Sequence, residues 1–466
     1  MIIGKVLLRA TLHLESPLLM GKGNGEWVDK ELMRLPDGRP YIPSSAFAGS
    51  LRSLMESEQL LREGEEWLWG SPMGEKGTRQ DGNKSQSYQS HLIVHDLKPS
   101  QGSESPIVVK RDGIRISHKT NTVEDGKKYD YEIVEQGADF SFMAELTIRS
   151  GFGAGRDGEM EDISIRLMEA IHHVRFRLGA FTSQGFGKLR VVNPSVRYFL
   201  FPSDHSAWFT FLESGSVPPN VKELRPVSGW KATGHYPFSV VGRFRIKSAM
   251  MVGAPGHSHA AADKSAIKSK DRFVLPGKSI RGALRHRAER ILKIMQPGAG
   301  THGNDNLTND LFGYVSEGKG GEADSVKGRI LIEESLIEKG LVKAMLQNRI
   351  RIDRFTGGVI DGGLFNSEPI WTTDQESIEI AIHILRDPKP IDKKLLLMLL
   401  KDLWTGDLPI GGEKNIGRGI LVGLEARVYE SGSLLSHFLR KGEDRDGEEV
   451  DVKLGAQELE NIMQTH

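Results

Sequence analysis

A chain of 466 residues exceeds one ordinary core and suits two domains with additions. Having no cysteine, it can form no disulfide and no thiolate metal site, which fits a reducing compartment. Its 62 basic residues are matched by 62 acidic ones, which excludes a uniformly basic surface, so any contact with nucleic acid must be gathered on one face.

The opening stretch, MIIGKVLLRATLHLESPLLMG, alternates polar and apolar residues and predicts a strand rather than a signal peptide. A glycine-bearing loop with Asp29 follows. Pro43 then opens a helix, with Ser44 and Ser45 in its first turn. Next come an apolar strand, SHLIVHDL, and a charged stretch, VVKRDGIRISHKTNTVEDGKKYDYEIVEQGADFSF, that reads as a protruding hairpin. A helix is expected over EDISIRLMEAIHHVRFRLG, with Ile163, Leu167, Ala170, Ile171, Val174 and Leu178 on one face. A glycine-rich turn, GFGKLRV, leads into the last strand. The longest apolar run, LLLMLL at 395–400, is too short for a bilayer, and the chain reads as soluble and cytoplasmic.

The same order then recurs. Asp29 and Asp263 lie 234 positions apart, Thr120 and Thr356 lie 236 apart, and Gly185 and Gly417 lie 232 apart. The strand SHLIVHDL answers to GRILIEESL, and IRISHKTNT to IRIDRFTGG. One offset, kept within a few residues by unrelated features, indicates a tandem duplication. The expected domains are 1–202 and 235–429, with a connector at 203–234 and a charged extension at 430–466. The expected class is α+β. Each domain would set two helices on one face of an antiparallel sheet, ferredoxin-like or RRM-like, with a hairpin insertion.

The recurring residues carry the candidate chemistry. Gly185, Gly187, Gly417 and Gly419 permit close approach of backbone N–H groups to a phosphate, and a basic residue read as standing at matching positions, Lys188 or Arg418, accompanies each turn. The bland alternative is a tight connector with a solvated cation. No Walker or dinucleotide fingerprint fits, because these glycines follow a helix instead of opening one. The helix starts after Pro43 and Pro276 favour anions. There Ser44, Ser45, Lys278, Ser279 and Arg281 point to phosphate contact, whereas Arg287 and Arg290 read as solvated. Asp29 and Asp263 sit in loops outside any apolar pattern. Such carboxylates bind a divalent ion or orient a ribose hydroxyl, although a lone loop aspartate is usually a turn-former. Tyr129 and Tyr131 suit either base stacking or packing at the hairpin root. His257 and His259 have no counterpart in the first half, so they belong to no shared mechanism.

Taken together, the aspartate loops, PYIPSSAFAGSLR and VLPGKSIRGALR, LFG before GRILIEES, and the late glycine loops resemble the RAMP superfamily of CRISPR-associated proteins. The nearest likeness is to the repeated backbone subunit of type III effector complexes, here doubled as in fused type III-D systems. That resemblance implies partners: a CRISPR guide RNA, a complementary target RNA and other effector subunits. It implies thumb-like hairpins that interrupt the guide–target duplex. It also implies cleavage of the target with a divalent metal ion, Mg2+ being the expected one, at an aspartate that matches Asp29 and Asp263. Lys22, Arg34, Arg52, Lys188, Lys268, Arg281 and Arg418 would hold phosphates. Two departures stand out: IPSS in place of proline-glycine-serine, and a divergent second hairpin, RFTGGVIDGGLFNSEPIW. The rival readings are a guide-RNA-binding subunit without chemistry and, ranked last, a metal-independent guide-processing nuclease.

Overall fold

The computed structural model describes residues 1–23, 28–70, 89–117, 120, 122–150, 159–226, 229–255, 263–270, 272–295, 307–315, 325–337, 340, 342–372 and 377–440. His257 and His259 lie outside the described residues, as does 441–466 of the expected extension. The chain divides into two units. The first comprises Met1–Lys110, Asp130–Ala180 and Gly187–His235; the second comprises Arg111–Tyr129, Phe181–Phe186 and Tyr236–His466.

In the first unit the strand Ile2–Leu14 is central. It runs antiparallel to Asp139–Arg149 on one side, with Val6 opposite Leu146, and to Leu189–Leu200 on the other, with Leu12 opposite Val191. Leu92–Val94 lies outside the former and Lys222–Leu224 outside the latter. Alternation along the central strand turns Val6, Leu8, Leu12 and Leu14 to one side, all buried. There they pack with Phe47 and Leu51 of the helix Ser44–Ser57 and with Ile163 and Leu167 of the helix Glu159–Ile171.

The opposite face is also covered. Leu7 and Phe199 pack with Ala207 and Phe211, one turn apart on the helix His205–Ser214. The stretch read as a connector therefore folds onto the first unit. The second helix is shorter than its sequence pattern suggests and stops at Ile171. Beyond it the Val174 N–H donates to the Thr233 carbonyl at 3.0 Å and the Leu178 N–H to the Gly187 carbonyl at 3.0 Å. These partners replace the next helical turn, so Val174 and Leu178 do not belong to the helix face.

The second unit repeats the arrangement. Phe238–Ile246 lies between Ile378–Ile384 and Leu421–Glu430. Ile330–Ile332 is added outside the first of these and Ser433–Leu439 outside the second. The extension after Tyr429 thus begins as a sheet strand. Helices Gly277–Met295 and Pro390–Thr405 bury Ile280, Leu284, Leu396 and Leu400 against Phe238, Val240 and Phe244. Each repeat also carries a long antiparallel pair, Val108–Ile116 with Val123–Val134 and Gln347–Ile352 with Val359–Glu368. Among the described residues, no helix is long and apolar enough to cross a membrane.

Burial makes the first unit sensitive to acid. Desolvation holds His91, His172 and His173 below the ordinary histidine value of 6.5, with Arg149 and His235 adding smaller effects at His91 and His173. The unfolded chain therefore takes up protons before these folded sites do. Their contribution is complete above 6.5 and is lost as pH falls through the folded values. Hydrogen–deuterium exchange, corrected for intrinsic rate, should show the segments around these residues losing protection between pH 7 and 5. Unchanged protection would contradict their neutral burial.

Candidate functional site

The two loop aspartates have the same surroundings. The Asp29 N–H donates to Asp130 Oδ1 at 2.9 Å, and the Asp130 N–H donates back to Asp29 Oδ2 at 2.9 Å. The Asp263 N–H donates to Asn366 Oδ1 at 2.6 Å, and the Asn366 N–H returns a bond to Asp263 Oδ2 at 2.9 Å. Asp130 and Asn366 stand on the second strands of the two long hairpins.

From each clasp the chain continues alongside that strand in parallel. Lys30 bridges Tyr131, and the Glu132 N–H donates to the Lys30 carbonyl at 3.0 Å. In the second repeat Lys264 pairs with Ser367 and Ser265 with Glu368. Both aspartates are exposed. Among the described residues, no group of three or more His, Cys, Asp and Glu side chains is placed to hold a metal ion.

An open hollow of about 440 Å³ lies beside the first aspartate loop. Gly21, Gly23 and Lys30 line one side, and Gly179 and Ala180 another. Lys22 and Lys188 are about half exposed, each facing one carboxylate: Glu31 at 2.5 Å and Glu15 at 3.6 Å. Arg52 is exposed and pairs with Glu56 one helical turn on, at 2.7 Å. Lys268 is exposed and lies 4.7 Å from the centre of the Phe273 ring.

Several other expected phosphate contacts already have partners within the chain. Arg34 makes a two-pronged pair with Glu132, at 3.0 and 3.1 Å. The helix start at Ser44 already has its anion, because Asp96 accepts the Ser44 N–H at 2.7 Å. Ser45 beside it is exposed, and Ser279 is half-buried. Lys278 bonds the Tyr129 hydroxyl and sits over that ring, 4.1 Å from its centre. Arg281 donates to the carbonyls of Ser183 at 3.1 Å, Ile330 at 3.0 Å and Phe312, and burial lowers its pKa to about 10. Tyr131 is buried, which places it at the hairpin root.

The glycine turns need two corrections. The four glycine N–H groups are used by the chain itself: Gly185 to Thr182 at 3.2 Å, Gly187 to Pro17 at 2.8 Å, Gly417 to Lys414 at 3.1 Å and Gly419 to Ala249 at 2.7 Å. The two basic residues are also not counterparts. With the glycines superposed in sequence, Arg418 falls on Phe186 and Lys188 on Ile420. Arg418 is 4% exposed, as is Phe186, and bonds Glu413, Gln347 and Ser367. A buried guanidinium on these partners ties the turn to the hairpin instead of facing solvent.

The departure at IPSS has a steric reason. A side chain at Gly277 would collide with the backbone carbonyls of Gln184 and Ile332. The equivalent Ser44 is capped by Asp96 and is half-buried, so a side chain is accommodated there.

The clasp partners Asp130 and Asn366 escape a reading of the loops alone. They keep an offset of 236, the same as Thr120 and Thr356, which is the signal that finds them.

Two tandem α+β units with antiparallel sheets, each presenting a clasped loop aspartate, define a duplicated protein whose two halves share one plan. The RAMP superfamily model matches residues 11–190 and again 243–422, more than half of the chain, with both limits displaced by 232. The chain belongs to the RAMP superfamily, whose CRISPR-associated members bind RNA. No curated protein matches it.

Proposed function

We propose that this chain is a doubled backbone subunit of a type III CRISPR effector, of the type III-D kind. In this reading it is built from two ferredoxin-like modules whose long hairpins act as thumbs. It grips guide RNA and cleaves complementary target RNA at two positions, one per repeat. The supporting observation is the clasped aspartate, repeated with the same bonds at Asp29 and Asp263. The shared strand order around Ile2–Leu14 and Phe238–Ile246 supports the module assignment.

In each clasp one carboxylate oxygen is held by a strand N–H, and among the described residues nothing else bonds the carboxylate. The free oxygen suits a ribose 2′-hydroxyl, which it would orient by accepting its proton in a hydrogen bond. A hard oxygen donor also suits Mg2+, so Asp29 and Asp263 would hold the ion. When bound, that ion supplies charge neutralisation at the phosphodiester. The exposed Lys22 and Lys268 and the half-exposed Lys188 would meet the RNA backbone.

A subunit that binds guide RNA without cutting is the second reading. It is favoured by the fact that each carboxylate already has a structural bond. One experiment separates the two. The complex assembled on its guide is given labelled target RNA with Mg2+ or with EDTA. Asp29→Ala should suppress one cut, and Asp263→Ala the other, by about 100-fold or more, with guide binding retained. Undiminished cutting by the double variant would leave only the non-catalytic reading.

A further inference from the structure

We infer that Asp130 and Asn366 are positioning residues, which fix the Asp29 and Asp263 carboxylates in one pose toward bound RNA. This rests on the proposed cleavage and deepens it. An exposed aspartate in a loop ordinarily turns freely about two side-chain torsions. Here both its backbone and its side chain are engaged by one residue of the hairpin strand, through bonds running in opposite directions. The loop cannot shift along the strand without breaking one bond, and the carboxylate cannot rotate without breaking the other.

The two repeats reveal which property of the partner matters. In the first, Asp130 is a carboxylate and forms an ion pair with Lys110. In the second, the residue at the place of Asp130 is Asn366, displaced by 236, and the residue opposite it on the first hairpin strand is the neutral Asn348. The ionic pair is replaced as a unit by a neutral one, yet the clasp bonds are the same. What is common is an oxygen acceptor on a short side chain together with the strand N–H. Charge at this position is dispensable, and the second Asp does not serve as a further acid or base.

The test uses the assembled complex and reads each cut separately, so each repeat controls for the other. Asp130→Ala should slow the first cut about ten- to a hundred-fold, the usual consequence of a misplaced reacting group. The second cut and guide binding should stay within about two-fold. Asp130→Asn, which copies the second repeat, should restore the first cut. Asn366→Ala should slow only the second cut, and Asn366→Asp should not.

Exchange protection of the Asp29 and Asp130 amides should fall in Asp130→Ala and return in Asp130→Asn. If Asp29→Ala abolishes the first cut while Asp130→Ala spares it, the positioning role is refuted and the catalytic reading stands. Equal damage from Asn and Ala at position 130 would refute it as well. Cutting that survives Asp29→Ala removes both.

Discussion

Gly187→Ala destabilises the first unit, and Gly419→Ala the second, each by about 3 kcal/mol, the sum of left-handed backbone strain and overpacking. The two glycines have φ values of 75° and 77°. An added methyl group would fall on the carbonyl oxygen of Leu178 in one repeat and of Ile410 in the other. Neither oxygen can retreat, because it belongs to the segment that closes the turn. The Leu178 N–H donates to the Gly187 carbonyl at 3.0 Å, and the Ile410 N–H to the Gly419 carbonyl at 2.9 Å. On the other side, the glycine N–H groups are tied to Pro17 and Ala249. The glycine is thus pinned between two backbone segments. Urea unfolding followed by exchange of each unit's amides reads the effect unit by unit. Midpoints within error of the parent would show that the turn can relax around a methyl group.

Arg418→Met should cost the second unit about 3 kcal/mol, at the lower end of what breaking a buried ion pair costs. Glu413 would keep Arg349 at 3.2 Å, which limits the loss. Gln347 also keeps Arg349, at 3.1 Å, whereas the Ser367 hydroxyl loses its bond to the guanidinium. Burial already depresses the Arg418 pKa, so the site tolerates the charge only through these acceptors.

The informative comparison is Lys188→Met on the half-exposed cation of the other turn. It should leave the unfolding midpoint unchanged and reduce the slope of log affinity against log salt for single-stranded RNA by about 0.7. Should Arg418→Met instead leave stability intact and reduce that slope, Arg418 would be a phosphate contact after all.

These two residues also mark how far the sequence can be read. The duplication is legible because strands, helix starts, aspartates and glycines keep one offset, within a few residues, through more than two hundred positions. The sheets and helices follow from alternation along Ile2–Leu14 and from proline-opened helices. Burial of a charge is another matter. Arg418 sits in a glycine-rich, polar stretch whose pattern suggests solvent, and only the fold brings Gln347 and Glu413 to it.

The clasp is hidden for a related reason. It joins residues 101 and 103 positions apart, and its strand-borne member is an acid in one repeat and an amide in the other. A search for identical residues passes over it, whereas the shared backbone bonds make it plain. The second helix is overread because apolar spacing continues past Ile171 while the backbone there finds partners in Thr233 and Gly187.

Joining both repeats in one polypeptide also alters what inheritance can do to them. Where an assembly is made from many identical chains, a single altered codon rewrites every copy together. Here a codon reaches one repeat only. Lys110 with Asp130 and Asn348 with Asn366 are two independent spellings of one device, and glycine at 277 obliges nothing of serine at 44. Each half of the gene is free to specialise while its twin preserves the original trade.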